Sequence, residues 1–101
     1  AALAFGSVQD SMVAYQLGDR LLEDESISVR INTAFALGQT GSFQAVNSLL
    51  PALKDPESKV IREVLEALGK TITAADFPQL SRFQPKDSLQ QEGLAWALYR
   101  L

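Results

Sequence analysis

Two groups of carboxylates are spaced closely enough for acid–base chemistry: Glu23, Asp24 and Glu25 in succession, and Glu63 with Glu66 three residues apart on one helical face. Such chemistry needs groups whose surroundings push their pKa values apart. The first group falls at a turn where Asp24 has a capping role to fill, and the second has no basic or metal-binding companion. There is no histidine and no cysteine, which removes imidazole bases, thiolate nucleophiles, disulfides and the N/S metal ligands. The stretch Gly38-Gln39-Thr40-Gly41-Ser42 resembles a phosphate loop in outline, but it lacks the loop's lysine and follows no strand. It reads instead as a helix stop followed by the cap of the next helix. The expectation is no catalytic residue, no cofactor site and no metal site.

The elements that carry these residues repeat. Gly6, Gly38 and Gly69 each close a small, apolar run (Ala2-Leu3-Ala4-Phe5, Ala34-Phe35-Ala36-Leu37, Leu65-Glu66-Ala67-Leu68), at spacings of 32 and 31 residues. Ala97-Leu98-Tyr99 falls 30 residues further on, with Tyr99 in the place of the glycine. A period of this length is that of a helical solenoid, whose units cannot bury their apolar faces alone and stack on one another. The fold class expected is all-α, one domain over residues 1–101, with the end of a truncated repeat at 1–9 and repeats at 10–40, 41–71 and 72–101.

Each repeat holds a leading and a trailing helix. The first leading helix starts after Asp10-Ser11 and carries Met12, Ala14, Tyr15, Leu17, Leu21 and Leu22; the second carries Phe43, Ala45, Val46, Leu49, Leu50 and Leu53, at amphipathic spacing. Asp24 and Asp55 are expected to cap the trailing helices, with Pro56 in the first helical position. Val29/Val60, Ala34/Leu65, Ala36/Ala67 and Leu37/Leu68 make the buried face, and the closing glycines supply a left-handed stop. In the third repeat, residues 73–84 form a leading helix with Phe77, Leu80 and Phe83. There Ser88 is expected to cap a trailing helix that buries Leu94, Ala95, Ala97 and Leu98.

Nine basic against twelve acidic residues leave a net charge of −3, which disfavours a phosphate backbone as partner, so nucleic acid is not expected. No apolar run approaches the roughly 20 residues that cross a bilayer, and the first nine residues lack the basic flank of a secretory signal. Neither a membrane partner nor a localisation follows.

The wording of the first repeat, Asp24 followed by Val29-Arg30 and then Ala34-Phe35-Ala36-Leu37-Gly38, resembles the short bacterial HEAT-like repeat, including the form named after phycobilisome lyases. The resemblance covers residues 1–70 well and 71–101 loosely, and implies a right-handed α-solenoid of stacked antiparallel helix pairs, as part of a longer protein. Pro51 resembles the kink in the leading helix of that family. The second repeat departs from the pattern by placing Arg62 one residue late, after Ile61, so a regular Asp-to-Arg ladder between repeats is not expected. The tail from Phe83 to Arg100 is similar to HEAT-like segments found beside peptidyl-prolyl isomerase domains, without any isomerase sequence of its own.

In such a solenoid the trailing helices line the concave surface, and their unburied positions recur as rows. One row is Leu3, Phe35, Glu66 and Trp96; either its aromatics pack against neighbouring helices or they form a partner-binding stripe. A second, of mixed sign, holds Arg30, Ile31 and Asn32, then Arg62 and Glu63, then Gln91 and Glu92, and reads as a solvated face with local pairing or as a ligand site. The candidate partner-binding residues are Phe35, Trp96, Arg30, Arg62, Glu63 and Glu66. The function expected is a non-catalytic scaffold for a protein or peptide partner. The alternatives are a structural spacer in a longer protein and, further off, a bilin-attaching or base-excising enzyme of HEAT-like type. Uncovered terminal faces also lead to an expectation of end-to-end self-association.

Overall fold

The computed structural model describes residues 18–100, and all regular structure among them is helical. Leu3, Gly6 and the expected start of the first leading helix lie outside the described residues. After a helical stretch over 18–23 come α1 (Ile27–Thr40), α2 (Val46–Leu49), α3 (Ser58–Thr71), α4 (Phe77–Ser81) and α5 (Ser88–Arg100). Single 3₁₀ turns flank α2 at Phe43–Ala45 and Pro51–Lys54.

The glycines do something other than stop helices. α1 runs through Gly38 and α3 through Gly69; the left-handed cap of α1 is Gly41, at φ 65°. Gly38 and Gly69 are needed for close approach. A Cβ at Gly38 would lie 2.9 Å from Cα of Ala67, and one at Gly69 would lie 2.8 Å from Cα of Ala97. α1 thus packs on α3 and α3 on α5, with small residues letting the backbones meet.

The starts of α1 and α3 meet through Arg30 and Asp55 at 2.8 Å, and the later parts of α3 and α5 meet through Gly69 and Ala97. With contacts at the opposite end of each pair, this shows that the three long helices run in the same direction. Near their starts, Ser58 Oγ donates to the Asp87 carboxylate and Gln90 Nε2 donates to Ser58 Oγ at 3.2 Å. Near their ends, Lys70 Nζ donates to Gln39 Oε1 at 3.1 Å. The core between them is Ala34, Leu37, Val60, Val64, Leu65, Ala67, Leu68 and Ala97, backed by Leu21, Ala45, Val46, Leu49 and Leu80.

The caps differ from expectation by one or two residues. Ser26 is the N-cap of α1, its Oγ accepting from Val29 N–H at 3.3 Å, while Asp24 Oδ1 accepts from Ser26 N–H and shapes the turn before it. Asp55 Oδ1 likewise accepts from Glu57 N–H at 2.9 Å; Glu57 is the cap position of α3, and Pro56 precedes the helix instead of opening it. For α5 the cap is Asp87 and not Ser88: its Oδ1 accepts from Gln90 N–H at 2.9 Å, and Gln90 Oε1 reaches back to Lys86 N–H. A short carboxylate two residues before the cap closes an Asx turn as readily as it caps, so the sequence position alone does not separate the two.

The leading helices are broken. Pro51 has no N–H to continue the α-helical ladder, and the chain passes from α2 into a 3₁₀ turn there. Phe43 stands exposed at the entry to this segment and not on its buried face. Of the leading helix expected over 73–84 only Phe77–Ser81 is helical, with Pro78 in its first turn; Leu80 is buried, Phe83 half-buried and Phe77 exposed. On α5, Ala97 is buried as expected, whereas Ala95 and Leu98 face outward.

Candidate functional site

Phe35, Glu66 and Trp96 stand nine residues after Ser26, Glu57 and Asp87, the cap positions of α1, α3 and α5. Equal register on three parallel, packed helices places them in one row across the surface. Phe35 is 48% and Trp96 47% exposed, and Glu66 lies half-buried between their helices. For rings of this size, half exposure means that one face packs on the protein and the other meets solvent.

The rings have polar company. Lys70 Nζ sits 5.1 Å from the centroid of Phe35, held there by its bond to Gln39, a cation–π contact between α3 and α1. Trp96 meets Tyr99, one turn on, edge to face at 6.3 Å and 71°. An open hollow beside them is lined by Glu92, Ala95, Trp96 and Tyr99. A second, around the start of α4, is lined by Thr73, Ala74, Phe77 and Leu98.

The charged candidates divide. Arg30 is turned into the fold: its Nε and Nη2 make a two-pronged contact with Asp55 at 2.8 and 3.3 Å, and its Nη1 donates to the carbonyls of Asp24 and Glu25. Both side chains of that pair are almost fully covered, at 11% and 7% exposure. Arg62, one register place later, does not repeat this contact; Ile61 occupies the corresponding position and is buried. Arg62 Nη2 instead meets Glu92 Oε1 at 2.8 Å on the surface. The ladder is therefore not regular, as the displaced arginine implies.

Glu63 and Glu66 are close enough to repel. Partial burial raises the Glu63 carboxyl above its ordinary range, and the neighbouring Glu66 adds to this; Lys70 and Arg62 act in the opposite direction. Among the described residues no three His, Cys, Asp or Glu side chains are arranged to hold a metal ion. Nor is any helix among them long and apolar enough to cross a membrane.

Three members of this surface were not singled out from the sequence as site residues: Lys70, Glu92 as a neighbour of the aromatic row, and Tyr99. Lys70 carries a signal in hindsight, since it lies 31 residues after Gln39 and so at the same height on the adjacent helix. Compared with known protein families, residues 15–98 match the model of HEAT repeats. No curated protein matches the chain.

Proposed function

The chain belongs to the HEAT repeat family, and from that premise we propose that it is a non-catalytic scaffold binding a protein or peptide partner across the row Phe35, Glu66 and Trp96. HEAT repeats are generally protein-interaction scaffolds. The observation that carries the reading is the pair of half-exposed aromatics at one register on helices locked together by buried small residues. Rigid aromatic anchors lose little side-chain entropy on binding and are the usual centres of binding energy. Arg62 and Glu63 flank the row and, with Glu66 inside it, supply its polar groups. A specific interface covers about 800 Å² on each partner, a scale that three adjacent helix faces can supply.

The same reading takes the helices as units of a right-handed solenoid, with repeats over 10–40, 41–71 and 72–101. End-to-end association of such units through α5 would rest on the exposed Ala95 and Leu98.

The test is a pull-down from native lysate with the parent chain and with Phe35→Ala and Trp96→Ala, each shown by circular dichroism to remain folded. A specific partner retained by the parent and lost by both variants supports the row as the binding surface. Capture of no partner by any of the three favours a structural spacer.

A further inference from the structure

Trp96 and Tyr99 form two walls of a corner, with their rings at 71°, and Ala95 and Glu92 complete its lining. We propose that this corner seats the cationic side chain, arginine or lysine, of a protein partner; the proposal rests on the scaffold reading above and names the chemistry that the row selects.

The molecule already contains one such contact. Phe35 and Trp96 share a register position, and the face of Phe35 is occupied by the ammonium of Lys70 from the adjacent helix, with an amide oxygen from Gln39 as second acceptor. At Trp96 the ring is an indole, the strongest of the aromatic cation acceptors, and the second wall is a phenol instead of an amide. A guanidinium stacks flat on one ring while its edge reaches a carboxylate, which makes arginine the better of the two cations.

Charge agrees with this choice. Glu92 lines the corner with its carboxylate paired to Arg62, and the uncompensated acidic groups beside it are Glu66 and Glu63 on the neighbouring helix, Glu66 at the register of Trp96 itself. The cations facing the same region are Arg62, already paired with Glu92, and Lys70, already placed over Phe35. The chain as a whole carries −3.

A further helix cannot meet this face at the close spacing of the helices before it. Tyr99 stands twelve residues after its cap, the register place of Gly38 and Gly69. At those glycines even a Cβ would lie within 2.9 Å of the backbone of the next helix. A phenol in that place blocks a further parallel helix, or a second copy of this chain, from packing at the spacing of α1 on α3 and α3 on α5.

Trp96 is the chain's one tryptophan, so its fluorescence reports the corner directly. The probes are a short peptide alternating glycine and arginine, its citrulline counterpart of equal shape without charge, and a leucine counterpart. Saturable change with the arginine peptide, weaker by about tenfold or more with citrulline, and falling with added salt, is the expected result. Tyr99→Leu, which keeps bulk and removes the ring, is expected to weaken the arginine peptide several-fold with an unchanged dichroism spectrum. Equal response to arginine and citrulline peptides, or no saturable response to the arginine peptide, overturns the cation seat. Response to the leucine peptide alone also overturns it while leaving the scaffold reading standing, as does a Trp96-dependent partner in the pull-down with an inert arginine peptide. Trp96 emission that shifts only with protein concentration assigns the corner to self-association and overturns the proposal.

Discussion

Substituting Gly69 by alanine sets two effects against each other. In the interior of a helix, alanine is favoured over glycine by about 1 kcal/mol, so α3 alone would gain. The new methyl, however, would stand 2.8 Å from Cα of Ala97 and 3.3 Å from its carbonyl oxygen. Relaxed carbon–carbon contacts begin near 3.5 Å, so α3 and α5 must separate by roughly 0.7 Å. The obstacle is backbone and cannot swing aside. Separation would loosen Leu65, Leu68 and Ala97, all within 2% of full burial. Overpacking of this kind costs about 1–3 kcal/mol, and a backbone clash belongs at the upper end, leaving a net loss of about 2 kcal/mol. For a domain of this size that lowers Tm by roughly 8–16 °C. Urea unfolding followed by circular dichroism measures it. Adding Ala97→Gly is expected to restore little, because the Cα that causes the clash stays in place. Equal or greater stability of Gly69→Ala would refute the close-approach account and return the glycine to a role in helix termination.

Other consequences follow from the caps and ion pairs. Asp55→Asn leaves the covered Arg30 guanidinium without its counter-charge and is expected to cost about 3 kcal/mol, with the double change Arg30→Met, Asp55→Asn costing less than the single one in the same unfolding assay. Glu63 has its carboxyl raised above the ordinary 4.5, so its ionisation opposes folding: the relative stability it allows is present below that value and lost as pH rises through the raised one. Glu63→Gln should therefore stabilise at neutral pH and not at acid pH, which paired urea titrations at the two pH values would show. Asp87 is held below its ordinary 3.8 first by Ser58 and then by Gln90 N–H. Its contribution is present above 3.8 and lost as pH falls through the lowered value, so Asp87→Asn should flatten the acid limb of the stability profile; an unchanged limb would contradict the cap assignment.

The repeat was legible because it depends on spacing. A period near 31 and the matched sets Ala34/Leu65 and Leu37/Leu68 require only that equivalent residues pack alike, and those four are fully buried. Glycine was misleading because its two uses look the same in sequence. Gly38 and Gly69 end apolar runs, yet the helices continue past them, and Gly41, three residues on, is the left-handed terminus. Residues 73–84 have helical periodicity, but Pro78 limits where a helix can begin and only one turn forms. Arg30 was visible as a recurring surface type, whereas its pairing with Asp55 depends on the distance between adjacent helices. That distance is set by the small residues and cannot be read from either residue alone.

The aromatic row as the binding surface is tested most directly by site-specific photo-crosslinking in native lysate. A crosslinking residue would be placed in turn at positions 35 and 96 and, as controls, at the exposed Lys54 and Gln79. The account predicts one protein joined at both 35 and 96 and at neither control. Crosslinks of equal yield from all four positions, or from the controls alone, would contradict it.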